Sequence, residues 1–283
     1  MALRITTLCE NTTDNIDVMA EFGWSVFIEY DGFKILFDTG LDISVCRNAD
    51  ALGIDLRRID KIVLSHGHPD HTGGLRQVLQ RIDRPIEIIA HPDIWAIRHK
   101  HKPDGEIYNG IPFQREALES LGAIFRLSAQ PVSITDNIVT TGEIPAVTDF
   151  EDIASSLPRD TTWSIQNSHG THNDEIRDDQ ALILKTAHGL VIVLGCGHRG
   201  IINTLRYAQT ITGIQKIDTV IGGAHLLFAG PERVRKTIAA LRDIDIRQIG
   251  LCHCTGLPAG AIMVQEFGER FVFNNAGNEL EFE

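Results

Sequence analysis

The sequence predicts a layered α/β protein, and three observations support this fold class. Strand-like apolar runs alternate with helix-like segments twice along the 283 residues, as in sheets covered by helices. Several of the predicted strands end in short loops that contain glycine and histidine. No sharp linker and no repeat of fixed period divides the chain, so we expect a single domain over residues 1–283.

The first part of the chain is predicted to contain strands followed by strand–helix alternation. The predicted strands are ALRITTLCE, WSVFIEY, GFKILF, KIVLS and PIEIIAHP. Asp31-Gly32 is a turn signal that predicts a hairpin between the second and third of these strands. Apolar spacing predicts helices in LDISVCRNADALGIDLRRID and in TGGLRQVLQRI.

The middle of the chain is less regular. We expect RHKHK, residues 98–102, to be a solvated helix face or a turn, and TDNIVTTGEIP to be a strand that leads into a loop. Residues 150–179 are acidic, polar and poor in periodicity. We expect this polar excursion to be a lid or a binding loop, because long irregular segments in compact domains are often functional.

The third part resumes the alternation of strands and helices. QALILKTAHGLVIVLGCGH predicts a hairpin that turns at His188-Gly189, and IDTVIGGAHL and IRQIGLCHCTG predict two further strands. Helical spacing is present in RGIINTLRYAQTI, in GPERVRKTIAALRDI with Pro231 near its start, and in AGAIMVQEFG. RFVFNNAGNELEF is predicted to be a final hairpin or strand.

Composition excludes several classes of function. The formal net charge of −12 argues against binding to nucleic acid or to an anionic membrane, although a bound metal can still attract a small anion. Five cysteines without a framework of spacings argue against a secreted disulfide scaffold. The N-terminal residues lack a long apolar segment and no run is long enough to span a membrane. We therefore expect a soluble, cytoplasmic protein.

Four metal-competent side chains crowd into the stretch KIVLSHGHPDHTGGL: His66, His68, Asp70 and His71. His66 and His68 are two residues apart, so in extended backbone their imidazoles leave on the same side and reach one ion. Imidazole and carboxylate are the ligands of zinc and also suit iron and manganese. A set larger than one tetrahedron requires predicts two ions with positions left open for water. Gly73 and Gly74 are expected to let the chain turn tightly into a helix.

The segment HGHPDH resembles the His-x-His-x-Asp-His signature of the metallo-β-lactamase superfamily. ILFDTG resembles the earlier strand of that superfamily, whose aspartate, here Asp38, supports the ligand loop. The resemblance extends over nearly the whole chain. It implies a four-layer αββα sandwich, with two mixed sheets packed face to face, helices outside and the metals at one edge between the sheets.

The resemblance also implies metal ligands from the second half of the chain. His253 in GLCHCTG stands where the last histidine ligand is expected, and we expect His198 in VLGCGH to join His66 and His68 at the first ion. Cys196 stands where the superfamily commonly has a bridging aspartate. It is either a bridging or supporting thiol or a small core residue. Three further candidates lie in or beside the polar excursion: His169, His172 and Asp179.

Three other residues are candidates for support of the metals or contact with substrate, and Asp70 has a second expected role. His225 in IGGAHL is either a catalytic acid that contacts substrate or a hydrogen-bonded structural histidine. Glu143 in TGEIP is a candidate, although a carboxylate in a turn is the simpler interpretation. Thr255 follows His253 in the last histidine loop. Asp70 is expected both to bind metal and to orient the attacking water.

The motifs together resemble one subgroup of the superfamily, the synthases that join a dihydropterin methyl diphosphate to ribofuranosylaminobenzene 5′-phosphate in methanopterin biosynthesis. This resemblance implies a transferase in which the aminobenzene, not water, supplies the attacking atom. The alternative is a dinuclear-metal hydrolase of a phosphoester, ester or thioester, and a third hypothesis is a metal-dependent ligand-sensing protein. We expect two divalent ions, zinc first and otherwise manganese, iron or magnesium. The expected partner is a phosphorylated small molecule, and a homo-oligomer is compatible with the sequence.

Overall fold

The computed structural model describes residues 2–167 and 170–282. The chain forms two compact units. Unit 1 comprises Met1–Trp95, Asn109–Ser128 and Asn274–Glu283. Unit 2 comprises Ala96–Tyr108 and Ala129–Phe273.

The strands of the described residues are β1 (Leu3–Cys9), β2 (Ser25–Tyr30), β3 (Phe33–Phe37), β4 (Lys61–Val63), β5 (Ile86–Ala90), β6 (Ile97–Lys102), β7 (Gly105–Tyr108), β8 (Ala123–Leu127), β9 (Ser133–Thr135), β10 (Ile138–Thr140), β11 (Thr162–Asn167), β12 (Gly170–Asn173), β13 (Leu182–Thr186), β14 (Gly189–Val193), β15 (Ile217–Gly223), β16 (Ile246–Cys252) and β17 (Glu279–Phe282). The α-helices are α1 (Ser44–Ala51), α2 (Pro69–Thr72), α3 (Leu75–Ile82), α4 (Arg115–Glu119), α5 (Ile201–Thr212), α6 (Pro231–Arg242) and α7 (Leu257–Phe267). Short 3₁₀ turns lie at Leu56–Arg58, Pro92–Trp95, Ala154–Ser156, His253–Thr255 and Gly268–Arg270. No helix within the described ranges combines the length and the apolar character that crossing a membrane requires.

Unit 1 is built on a seven-stranded mixed sheet with the order β17-β1-β2-β3-β4-β5-β8. β3, β4, β5 and β8 are parallel neighbours, whereas β1, β2, β3 and β17 pair antiparallel. Asp31 and Gly32 both have positive φ, at 50° and 82°, as a two-residue turn between right-twisted strands requires. Leu75, Val78 and Leu79 of α3 are fully buried against the strand residues of this unit, so the predicted apolar spacing is confirmed.

Unit 2 contains a six-stranded mixed sheet with the order β16-β15-β14-β13-β10-β9. Its strands β14, β15 and β16 are parallel, so their carboxyl ends lie at the same edge of the sheet. Helices α5, α6 and α7 cover this sheet with buried apolar residues, among them Leu205, Ile238 and Met263. These strands and helices confirm the third part of the sequence prediction, including Pro231 as the first residue of α6.

The middle of the chain differs from the prediction. RHKHK is not a helix face or a turn but most of strand β6, and the polar excursion contains β11 and β12. These strands form a four-stranded antiparallel sheet with the order β12-β11-β6-β7. The prediction failed because charged groups take the place of apolar ones: the buried ion triad pairs Arg98 with Asp174 at 2.9 Å and with Asp178 at 2.7 Å.

Candidate metal centre

In unit 1 the histidine loop connects β4 to α3, with α2 inside it. Pro69 is the first residue of α2, where its missing N–H leaves no donor unsatisfied. Backbone hydrogen bonds fix the loop to its neighbours: Trp24 donates to the Asp70 carbonyl at 3.1 Å and Thr39 donates to the His71 carbonyl at 2.8 Å. These hydrogen bonds hold the loop against the strand ends beside it.

Gly73 and Gly74 serve close packing and not a tight turn. Their φ angles of −68° and −76° are those of ordinary helical residues. A Cβ atom at Gly73 would lie 1.9 Å from the Leu41 carbonyl oxygen, and one at Gly74 would lie 2.1 Å from the Thr39 carbonyl oxygen. The two glycines are required because the chain passes directly against residues 39–41.

The three imidazoles of the loop are buried together. His66, His68 and His71 are at most 3% exposed, and the His66 ring centroid lies 4.5 Å from that of His68 and 4.2 Å from that of His71. His66 Nε2 and His68 Nδ1 are 3.0 Å apart. Two imidazole nitrogens on one tetrahedral zinc ion stand about 3.3 Å apart, given Zn–N bonds of about 2.0–2.1 Å. The spacing and chemistry of this donor set therefore fit a divalent metal.

Asp70 and Asp38 complete the polar groups around His71. The Asp70 carboxylate approaches His71 Nε2 at 3.8 Å from the partly exposed side of the loop. The fully buried Asp38 accepts hydrogen bonds from His71 Nδ1 at 2.7 Å, from the Ser65 hydroxyl at 2.6 Å and from the Ser65 backbone N–H at 2.7 Å. A proton held on Nδ1 leaves the lone pair on Nε2, which is the nitrogen able to bind a metal. Asp38 also has a φ of 59°, a conformation that aspartate and asparagine tolerate better than other non-glycine residues.

In unit 2 the predicted residues lie in the loops that follow β14, β15 and β16. His198 and His253 are 1% and 3% exposed, and the ring centroids of His198 and His225 are 4.2 Å apart. His225 and His253 both have positive φ, at 47° and 53°, so two histidines hold a left-handed conformation that side chains rarely adopt. Parallel strand ends are where ligand sites form in such sheets.

The same loops carry Cys196 and Cys254. The side-chain ligand atoms of Cys196, His225 and Cys254 all lie within 4.8 Å of one another. Burial raises the pKa of the Cys254 thiol, but the adjoining Cys196 and the His225 and His253 imidazoles lower it more, and the pKa lies well below its ordinary value. The donors of this unit are therefore imidazoles and thiols, which suit zinc.

The remaining predicted residues have separate positions in unit 2. Thr255 is fully buried, and its hydroxyl accepts a hydrogen bond at 3.0 Å from the backbone N–H of Ala224, which fixes the loop next to His225. Glu143 lies half-buried in the loop after β10, where its backbone N–H donates to the Ala129 carbonyl at 2.9 Å. His172 is exposed on β12, and His169 lies outside the described residues.

Two acidic residues that support the His198 loop were not assigned this role from the sequence. The Glu151 carboxylate accepts hydrogen bonds from the Ile202 and Asn203 backbone N–H groups, both at 2.9 Å, and so caps the start of α5. Gly200, with a φ of 96°, leaves the space that this carboxylate occupies. Asp179, expected as a ligand candidate, accepts from the Arg199 backbone N–H at 2.9 Å. No local motif marks Glu151, because it lies about 50 residues before the helix that it caps.

A cavity of about 470 Å³ in unit 2 borders His198. Trp163 of β11 lines it and meets the His198 and His225 rings edge-on, with ring centroids 5.4 Å and 5.7 Å away. Arg199 and Leu157 also line it, together with the acidic residues Glu151, Asp152, Asp174 and Glu175, so the cavity offers charged groups of both signs, an aromatic ring and apolar surface. Its volume is in the range of pockets that hold small molecules.

The family model of the metallo-beta-lactamase superfamily matches residues 18–177 of the chain. The chain is 35% identical to the 7,8-dihydropterin-6-methyl-4-(beta-D-ribofuranosyl)-aminobenzene-5′-phosphate synthase of Methanocaldococcus jannaschii, over 99% of this chain and 97% of that protein. It is 28% identical to an uncharacterized protein of the same archaeon, over 91% of this chain and 92% of that one.

Solved structures agree with the sequence comparison. The crystal structure of Tm1679, a metal-dependent hydrolase of the β-lactamase superfamily, matches with a TM-score of 0.83 and 27% identity, over 99% of both chains. Zinc-bound PqqB from Methylobacterium extorquens matches at 12% identity with a TM-score of 0.58 over 100% of both chains, which bears on the fold alone. The predicted fold class, the αββα sandwich, is confirmed by these likenesses.

Proposed function

Because this chain belongs to the metallo-β-lactamase superfamily and is a metal-dependent enzyme that acts on a small molecule, we propose that it is a transferase with a dihydropterin substrate. It would join a dihydropterin methyl diphosphate to ribofuranosylaminobenzene 5′-phosphate and release diphosphate. The observation that carries this proposal is the 35% identity to the synthase, which extends over 99% of the chain. We also propose a cytoplasmic location, which the likeness to a synthase of a small molecule supports.

We propose that the metal ligands are His66, His68, Asp70 and His71, together with His198 and His253. The imidazole and carboxylate donors support zinc as the metal, with two ions as the number that the size of the set favours. When bound, such ions hold phosphate oxygens and stabilise the charge that builds on a leaving group or a nucleophile.

The protein residues would position these groups and move one proton. The acceptor nitrogen attacks the pterin methylene carbon, the bond from that carbon to the diphosphate oxygen breaks, and the diphosphate keeps the electron pair. The nitrogen then loses a proton, for which Asp70 and His225 are the candidate acceptors. Asp38 contributes indirectly, because its hydrogen bond to His71 Nδ1 keeps Nε2 available as a ligand.

The likeness to Tm1679 supports a second candidate function, hydrolysis of a phosphoester, ester or thioester. In that reaction water replaces the aminobenzene as the nucleophile, and Asp70 would orient the water. The same ligand set serves both reactions, so the distinction lies in which nucleophile the binding cavity admits.

A paired assay separates the two candidates. The metal-loaded protein is incubated with both pterin-pathway substrates in ¹⁸O-labelled water, and the products are analysed by mass spectrometry. We expect the condensed product and unlabelled diphosphate. If the pterin-pathway substrates do not condense and a generic ester or diphosphate gives a product that carries ¹⁸O from water, the hydrolase is favoured. The absence of any turnover on phosphoesters, diphosphates and thioesters would favour a ligand-sensing protein.

A further inference from the structure

Three parallel strand ends in unit 2 bring two thiols and an imidazole together. Cys196 follows β14, His225 follows β15 and Cys254 follows β16, and their ligand atoms lie within 4.8 Å of one another. Cys196 and Cys254 are 2% and 7% exposed. Both ring nitrogens of His225 are buried and meet no described residue with regular hydrogen-bond geometry, and the Cys254 thiol is the neighbour that interacts with the ring. Such an arrangement is costly unless another group satisfies the imidazole.

The backbone around this cluster is shaped to bring the sulfur atoms close. A Cβ atom at Gly223 would lie 2.4 Å from Cys254 Sγ, and a Cβ atom at Gly222 would lie 2.2 Å from the Leu194 carbonyl oxygen. Cys254 Sγ in turn lies 3.3 Å from the Cys196 carbonyl oxygen. Gly223 thus provides the space in which the Cys254 side chain approaches the loop of Cys196, and Gly222 lets the end of β15 pass close to Leu194.

The spacing suits a tetrahedral ion. With Zn–S bonds of about 2.3 Å and Zn–N bonds of about 2.0–2.1 Å, two thiolates on one ion stand about 3.8 Å apart, and a thiolate and an imidazole about 3.6 Å apart. Both separations are shorter than the 4.8 Å limit within which these three ligand atoms lie. Three protein ligands of this kind leave the fourth position of the ion open.

We propose that Cys196, His225 and Cys254 bind a thiophilic divalent ion, such as zinc, cadmium or cobalt. The two sulfur donors select softer metals than the imidazoles and carboxylate of the 66–71 loop do, and they exclude magnesium as the occupant. A ligand role uses the lone pair of one ring nitrogen of His225, so an ion at this site leaves Asp70 as the candidate proton acceptor in the proposed reaction. The site goes beyond the proposed reaction and does not depend on it.

Cobalt spectroscopy tests the site without substrate. The full-length protein is stripped of metal and titrated with Co²⁺, and the thiolate-to-cobalt charge-transfer absorption in the near ultraviolet is recorded. We expect this absorption in the wild type, a marked loss in Cys196→Ser and Cys254→Ser, and no change in Cys46→Ser. Cys46 is a matched control, because it is also buried but lies in α1, where burial raises the pKa of its thiol to about 11.

Circular dichroism establishes whether each variant is folded. If a variant does not fold, a measurement on the wild type still tests the site. X-ray absorption at the zinc edge of the zinc-loaded wild type counts sulfur neighbours directly, with the expected Zn–S distance at about 2.3 Å. Sulfur neighbours that diminish in the spectrum of Cys254→Ser support the proposal, because Cys196 alone would give a sulfur signal as a bridging thiol. A wild-type zinc spectrum with nitrogen and oxygen neighbours alone, or a charge-transfer band that both serine variants retain in full, would overturn it. Neither readout changes if the transferase assay fails.

Discussion

Replacing Asp38 with asparagine isolates the support that this residue gives to His71. Asparagine has nearly the same shape and tolerates the positive φ of 59° at this position, whereas alanine would add backbone strain. One side-chain oxygen remains to accept from the Ser65 N–H, while the other becomes an NH₂ group that faces the Ser65 hydroxyl and His71 Nδ1, at 2.6 Å and 2.7 Å in the wild type. A donor at this place favours the His71 tautomer with its lone pair on Nδ1 and its proton on Nε2.

The magnitude follows from these contacts. Loss of a hydrogen bond to a buried charged group costs about 1.5–3 kcal/mol, so the metal-free Asp38→Asn variant should lose about that much free energy of unfolding. A wrong tautomer at a ligand histidine weakens metal binding by roughly 10–100-fold, which is about 1.4–2.7 kcal/mol.

Two measurements on the same protein samples separate these effects. Urea denaturation of the metal-free form gives the free energy of unfolding, and competition with a chromophoric chelator gives the metal dissociation constant. Asp31→Asn is the control, because Asp31 has a similar φ of 50° but lies exposed in the β2–β3 turn. We expect the control to stay within about 0.5 kcal/mol of the wild type. A folded Asp38→Asn variant with wild-type metal affinity would refute the role given to Asp38.

Three further predictions concern the scaffold. Gly73→Ala should destabilise by several kcal/mol in thermal unfolding, since its Cβ would lie 1.9 Å from a carbonyl oxygen, whereas Gly230→Ala, with nothing within 4 Å, should stay within about 1 kcal/mol. Arg98→Met removes the cation of the buried ion triad and should cost about 3–5 kcal/mol in urea denaturation, because two carboxylates stay buried without it; a neutral effect would contradict this. Burial raises the pKa of Glu151 in the folded protein, so protonation of this carboxyl stabilises the fold below the pKa of the unfolded chain, and this stabilisation is lost as pH rises through the folded-state pKa. In a pH series of unfolding midpoints, Glu151→Gln should therefore show a smaller fall in stability with rising pH than the wild type.

The sequence contained the histidine loop in full, because its donors are neighbours in the chain and their spacing is chemically specific. His66 and His68 are two residues apart, and their ring nitrogens are 3.0 Å apart in the structure. The strands before and after the loop, β4 and β5, were predictable because each is a short run rich in β-branched apolar residues, and these residues are buried in unit 1.

What the sequence could not predict depends on contacts between distant residues. β6 and β7 are largely polar, and Arg98 is buried only because acidic residues more than 70 positions later pair with it. Glu151 caps α5 through a carboxylate that no local pattern connects to that helix. The need for glycine at position 73 was predicted, but its cause was not, because a close approach of two backbone segments leaves no sign in the periodicity of either.

The metal content of purified wild type and His68→Ala, measured by inductively coupled plasma mass spectrometry after loading with zinc, tests the central claim most directly. His188→Ala is the matched control, because His188 lies exposed in the β13–β14 turn. We predict that wild type and control retain the same amount of bound zinc through extensive dialysis. His68→Ala, folded by circular dichroism, should retain less, because the ion that His66 and His68 share is lost while zinc at other sites remains. A zinc content in His68→Ala equal to that of the wild type, or no zinc in the wild type, would contradict the metal centre on which the proposed chemistry depends.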